Sequence, residues 1–146
     1  MAKLYLHIGL HKTASSSFQL SCAGNHWTLQ KQNIFYPLFH CPGTSHNKIN
    51  NHSIPLFSLY TTRPEAYPIN VHWGIDDIAA INQAYTQQLQ QSLKRDEDLL
   101  LSGEDIASLE ADELQQLLED LSNSGRELVI FACVRSPYAF HCSQTS

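Results

Sequence analysis

The chain has 146 residues, of which 42% are apolar and 16% charged, a composition typical of one globular domain and not of a disordered chain. Its net charge is −5 and its pI about 5.8, so a basic face for nucleic acid or for an acidic membrane surface is not expected. The apolar runs are too short to cross a bilayer and the start shows no signal-peptide pattern, so we expect a cytoplasmic protein without membrane insertion.

The first predicted strand covers residues 3–8 and stops at Gly9. A short polar loop follows and leads into a helical pattern over 14–31. The pair Gly24-Asn25 is typical of a helix C-terminus and could end this helix early. A helix N-terminus presents unpaired N–H groups and the positive end of a dipole, so this order predicts an anion cradle. Its predicted ligands are Gly9, the charged Lys12, and the small or hydroxyl residues Thr13, Ala14, Ser15, Ser16 and Ser17.

The predicted cradle differs from the loop that binds ATP or GTP. That loop has a glycine directly before its lysine, whereas His11 precedes Lys12 in this chain. A serine-rich helix cap that follows a buried strand and binds nothing is the alternative interpretation. The identity of the anion therefore depends on the rest of the chain.

The middle of the chain is irregular. Residues 34–37 form a short extended piece, and residues 38–74 show no clean period. A structureless stretch of 37 residues is uncommon in a compact domain and is usually functional, so we expect a loop insertion that contains a short helix at 51–60. The four cysteines include no Cys-x-x-Cys pair, so no disulfide framework and no metal site are predicted, and Cys133 is expected in the core.

The second half of the chain alternates helices and strands. The sequence predicts a helix over 76–94, a buried strand over 98–102 that ends at Gly103-Glu104, a helix capped by Ser108 and closed by Gly125, and a strand over 127–134. A further helix is expected from Pro137. Alternating elements with continuous apolar strands predict an α/β fold, in which a parallel sheet carries helices on both faces.

Two segments resemble the nucleotide-binding elements of sulfotransferases that use 3′-phosphoadenosine 5′-phosphosulfate (PAPS). The order from Gly9 through Lys12 to Ser17 resembles the family's 5′-phosphosulfate loop, with His11 and Ala14 where the family has proline and glycine. The run Arg135-Ser136-Pro137 follows an apolar strand and has Ser143 eight residues past the arginine, as in the family's 3′-phosphate element. The resemblance implies a three-layer fold like that of the P-loop nucleotide hydrolases.

The resemblance also implies an activity, the transfer of a sulfuryl group from PAPS, as co-substrate, to a hydroxyl acceptor such as a carbohydrate. Lys12 would contact the bridging and phosphate oxygens, while Ser15, Ser16 and Ser17 would hold the 5′-phosphate. Arg135 and Ser143 would bind the 3′-phosphate, because a guanidinium matches a phosphate dianion. No metal is expected.

The acceptor hydroxyl needs a general base. Catalytic groups of open parallel sheets lie beyond the carboxyl ends of the strands, which favours Glu104 as the base. A helix-capping or solvent-facing carboxylate is the alternative role for this residue. His52 is the second candidate, since an imidazole titrates near neutral pH.

Two other functions stay open from the sequence, a catalytically inactive nucleotide-binding remnant and, with less support, a P-loop nucleotide kinase. Chains of the family usually continue well past the 3′-phosphate helix. We therefore expect residues 1–146 to form a single, incomplete domain of marginal stability, with an apolar edge at 127–134. The sequence leaves the acceptor's identity and the oligomeric state open.

Overall fold

The fold is seen in a computed structural model, which describes residues 1–9 and 15–133. Its strands form one sheet in the order β2-β3-β1-β4, and every neighbouring pair is parallel. They are β1 (Lys3–Ile8), β2 (Ile34–Phe35), β3 (Asp98–Gly103) and β4 (Glu127–Phe131). The α/β prediction is therefore confirmed, and β1 lies inside the sheet between β3 and β4.

Helices connect the strands. They are α1 (Ser15–Gly24), α2 (His26–Lys31), α3 (Ser53–Tyr60), α4 (Pro68–His72), α5 (Ile78–Leu93) and α6 (Ala111–Ser122), with 3-10 turns at Pro64–Ala66 and Asp105–Ser108. The predicted helix over 14–31 is thus two helices, because α1 ends at Gly24 as the Gly24-Asn25 pair suggested. In the described part of the chain, no helix combines the length and the apolar character that crossing a membrane requires.

Helices cover both faces of the sheet. On one face Leu4, Leu6, Leu99 and Leu101 are fully buried against α3, α5 and α6. On the other face Leu100 packs with Cys22 of α1 and with Tyr36, and Leu29 of α2 lies beside them. Because successive strand residues point to opposite faces, the continuous apolar runs of β1 and β3 supply both layers.

The start of α6 differs from the prediction. Ser108 lies in the 3-10 turn before the helix and does not cap it. Glu110 is the N-cap instead, in a capping box where its side chain accepts from the backbone of Glu113 and the Glu113 side chain accepts from the backbone of Glu110. The predicted C-terminus of this helix agrees better with the structure, since α6 ends at Ser122 and Gly125 follows with a φ of +81°.

The irregular stretch 38–74 contains more structure than its sequence pattern indicates. The predicted short helix is present as α3, and α4 lies in the same stretch. Contacts distant in sequence hold it: the backbones of Phe39 and Ile49 bridge, and the Gln88 side chain of α5 bonds both the N–H and the carbonyl of His40.

The last described strand is shorter than predicted. Strand β4 ends at Phe131 instead of residue 134, and Cys133 is exposed, so its predicted place in the core is wrong. Ile130 is 45% exposed, and the expected incomplete sheet edge at this strand stays a prediction. Arg135, Pro137 and Ser143 lie outside the described residues.

Candidate functional site

The candidate site is the edge of the sheet where the carboxyl ends of β1 and β3 meet. The two strands are in register up to their last residues, with Ile8 opposite Gly103. Gly9 follows β1 and is buried, and Glu104 follows β3. The pairing therefore brings together two residues of the predicted site that are 95 positions apart in the sequence.

Helix α1 begins at the same edge, directly after the predicted cradle. Its first residue is Ser15, the side chains of Ser16 and Ser17 are exposed, and its first turn contains no acidic residue. A helix start of this kind leaves backbone N–H groups available to an anion. Lys12, Thr13 and Ala14 lie outside the described residues, so their part in the cradle stays a prediction.

Glu104 is half-buried at the carboxyl end of β3, where the sequence placed it. Its side chain does not cap the following 3-10 turn, so the alternative role as a helix-capping carboxylate is wrong. It lies near the phenol of Tyr67, which donates to Asp105 Oδ2 at 3.0 Å. Burial, the charge and hydrogen bond of Asp105 and, to a smaller extent, the charge of Glu104 raise the pKa of Tyr67.

His52 lies close to this edge but is fully buried. Its Nε2–H donates to the carbonyl of Pro37 at 2.6 Å, and its Nδ1 accepts from the N–H of Ser102 at 2.9 Å. Because a carbonyl only accepts and an amide N–H only donates, these two bonds set the tautomer and occupy both nitrogens. Burial lowers the pKa of His52 to about 4. A general base needs a free lone pair that faces the substrate, so this geometry gives the predicted role of His52 no support.

A buried polar cluster lies directly beneath the site. Ser102 Oγ is 2.7 Å from Nδ1 of His7, its in-register neighbour on β1, and 3.2 Å from Nε2 of Gln19 on α1. All three residues are at most 2% exposed. Ser102 and Gln19 are not among the residues that the sequence pattern predicts for the site. Two signals could have found them: a serine that ends a run of three leucines, and a glutamine three residues before the buried Cys22 on one helix face.

Gly103 allows the site to be this compact. A Cβ on Gly103 would lie 2.5 Å from the backbone nitrogen of Ser53 and 2.7 Å from its Oγ. Any side chain would therefore push the start of α3 away from the end of β3. The hydroxyl of Ser53 also accepts from the N–H of Asp105 at 2.8 Å, which fixes the turn that carries Glu104.

An open groove of about 420 Å³ lies beside the start of α5. Since α5 leads back into the parallel strand β3, its N-terminus lies toward the carboxyl edge of the sheet. The groove runs between the segment 42–44 and Asp76, and Trp73 forms part of its wall. The indole is itself stacked on the His46 ring, with centroids 3.7 Å apart and planes 6° apart.

The described residues include no group of three or more His, Cys, Asp or Glu side chains that could hold a metal ion. Cys22 and Cys41 are free and buried. The chain matches no protein-family model, no curated protein and no solved structure.

Proposed function

We propose that this protein binds PAPS and transfers its sulfuryl group to a hydroxyl acceptor, as the two motifs at its ends suggest. One observation carries the proposal. The inner strand β1 ends at the buried Gly9, beside the end of β3, and the helix that follows starts at Ser15 with exposed serines and no acid in its first turn. The Lys12 motif stands between that strand and that helix, which is where an anion cradle requires it.

The proposed reaction assigns a task to each residue. Backbone N–H groups at the start of α1, with Ser15, Ser16 and Ser17, hold the 5′-phosphate, and Arg135 and Ser143 hold the 3′-phosphate. The acceptor oxygen attacks sulfur in line, a new S–O bond forms, and the S–O bond to the 5′-phosphate breaks. Lys12 stabilises the charge that develops on the departing phosphate oxygen.

Glu104 is the proposed base. In this proposal its carboxylate takes the proton of the acceptor hydroxyl as the new bond forms. Its position past β3, level with the end of β1, and the lack of a capping bond from its side chain support this role. His52 has no part in the proposal, because both ring nitrogens are bonded to backbone.

The acceptor is proposed to be a carbohydrate or another small hydroxyl compound. The groove with Trp73 and Asp76 in its lining supports this class, because an indole and a carboxylate suit the apolar faces and hydroxyl groups of a sugar. The free thiols of Cys22 and Cys41 fit a cytoplasmic enzyme, since that compartment keeps thiols reduced.

Calorimetry and a transfer assay test the proposal together. Lys12→Ala should remove most of the affinity for adenosine 3′,5′-bisphosphate, because it deletes the only cation of the cradle motif. Lys31→Ala, which lies at the end of α2, is the matched control and should bind normally. An unchanged affinity in a folded Lys12→Ala protein would overturn the cradle.

Sulfate transfer from radiolabelled PAPS to a panel of sugars and phenols then separates an enzyme from a binding protein. Glu104→Gln should bind the nucleotide as the wild type does and lose transfer, since it keeps the shape of the side chain and removes the base. Binding without any transfer by the wild type would favour the inactive nucleotide-binding remnant. Preference for ATP would favour the kinase.

A further inference from the structure

Ser102 is the point at which four parts of the fold are joined. Its Oγ contacts His7 on β1 and Gln19 on α1. Its backbone N–H donates to Nδ1 of His52, and its carbonyl accepts from the N–H of His52 at 2.8 Å and from Nε2 of Gln19 at 3.5 Å. Through these bonds one residue ties the ends of β1 and β3 to the start of α1 and to the segment that leads into α3.

The donor group fixes the direction of the bond from Gln19 to Ser102. The amide nitrogen of Gln19 can only donate, so the Ser102 oxygen accepts from it. The hydroxyl hydrogen of Ser102 is then free to donate to Nδ1 of His7, 2.7 Å away. In the tautomer in which Nδ1 accepts this bond, the ring proton of His7 sits on Nε2. Burial lowers the pKa of His7, which favours this neutral form.

The described residues leave one polar atom of this cluster unpaired. Nε2 of His7 is buried without a hydrogen-bond partner among the described residues, and the ring packs against Phe18 and Phe131, with centroids 4.5 and 5.1 Å away. An apolar residue would pack against these two rings without leaving a buried nitrogen unpaired. The cluster therefore has a feature that packing alone does not explain, and its bonds converge on the first turns of α1.

We propose that His7, Ser102 and Gln19 form a positioning network for the anion site at the start of α1. Gln19 is the fifth residue of α1, so anchoring it to Ser102 fixes the first turn of the helix against the ends of β1 and β3. That anchoring sets the direction of the backbone N–H groups that receive the phosphate. This inference rests on the proposed function, because it assumes that an anion binds at the start of α1.

The test is a comparison of two buried serines. Ser102→Ala should lower the affinity for adenosine 3′,5′-bisphosphate by roughly tenfold, because the first turn of α1 loses its anchor to the strand ends and its N–H groups no longer point at the phosphate. Ser58→Ala is the matched control, since Ser58 is 1% exposed and bonds Asn70 and Asn82 within another polar cluster on α3. It should lower the melting temperature and leave the affinity unchanged. Should Ser102→Ala fail to fold, Gln19→Leu makes the same test from the helix side.

Two substitutions of His7 distinguish positioning from direct contact with the ligand. Asn places a polar atom near the position of Nδ1 and can still accept from Ser102, whereas Gln places one near Nε2. Positioning through Ser102 predicts that His7→Asn keeps most of the affinity and that His7→Gln loses about tenfold. The opposite order would overturn the inference and make Nε2 a ligand contact.

The remaining outcomes are also decisive. If the wild type binds the nucleotide and folded Ser102→Ala and Gln19→Leu bind it equally well, the positioning role is wrong and the proposed function stands. If Ser58→Ala weakens binding as much as Ser102→Ala, the effect is a general loss of stability and the inference fails. If the wild type does not bind the nucleotide, the proposed function is wrong and the inference falls with it.

Discussion

His52 forms the hydrogen bonds to the edge of β3 that a residue of a neighbouring strand would form. Strand β2 has only two residues, and its last pair joins Phe35 to Leu99. Beyond that pair the edge of β3 has no strand beside it within the described part of the chain. The backbone N–H and the ring Nδ1 of His52 bond the carbonyl and the N–H of Ser102, as a neighbouring strand would. Its sequence signal, one of four histidines in the stretch 38–74, is the same for this use and for catalysis.

The buried neutral ring makes stability depend on pH. The pKa of His52 is lowered to about 4 in the folded state, against about 6.5 when unfolded. Acidification then protonates the unfolded chain first, so stability should fall from about pH 6.5 to about pH 4, by of order 3 kcal/mol. His7, whose pKa burial also lowers, acts in the same direction.

Urea denaturation at several pH values measures this loss. His52→Gln should be less stable at pH 7, because it breaks the bonds to Pro37 and Ser102, and its stability should depend less on pH across that window. His72→Gln, at an exposed position, should retain the wild-type profile. A wild-type stability that stays flat between pH 7 and pH 5 would contradict this account of His52.

At the scale of elements, the sequence predicts what local pattern determines. Strands β1 and β3 are nearly continuous apolar runs that end at Gly9 and Gly103, and α5 repeats apolar residues every three or four positions, so their boundaries lie within two residues of the prediction. The stretch 38–74 is organised by distant partners instead, such as Gln88 on the backbone of His40. No local period can show such contacts.

The sequence pattern also does not predict how the end of α5, the start of β3 and the start of β4 are held together. The guanidinium of Arg126 is buried and donates to the carbonyls of Leu93 at the end of α5, of Arg95 and Glu97 in the following turn, and of Lys3 on β1. The carbonyls at a helix C-terminus lack partners within the helix, and a cation there is favoured by the helix dipole. A single arginine before β4 therefore closes the end of the layer opposite to the candidate site.

Replacing this arginine should destabilise the protein without touching the anion site. Arg126→Met keeps an unbranched apolar stem and removes the donors, so we expect the free energy of unfolding to fall by about 2–4 kcal/mol in urea denaturation. Arg63→Met is the control, because its side chain is 78% exposed, and should change stability by less than about 0.5 kcal/mol. Equal stability of Arg126→Met and the wild type would show that the buried bonds contribute nothing net.

At the scale of the whole molecule, the sheet explains how distant motifs can serve one site. Parallel strands place all their carboxyl ends at one edge, so the segments that follow β1, β3 and β4 start close together. The Lys12 motif follows β1, Glu104 follows β3, and the Arg135 motif follows β4. The sequence alone does not predict the order of the strands in the sheet. With the observed order, all three segments begin at the same edge of the sheet.

The most direct test of the central claim is ligand preference measured by calorimetry on the wild type and on Arg135→Ala. The account predicts that the wild type binds adenosine 3′,5′-bisphosphate more tightly than either adenosine 5′-monophosphate or ATP. Arg135→Ala should remove about 1.5–3 kcal/mol of that preference over the monophosphate, which is roughly ten- to a hundredfold in affinity. Tighter binding of ATP, or equal losses for both adenosine ligands in Arg135→Ala, would contradict it.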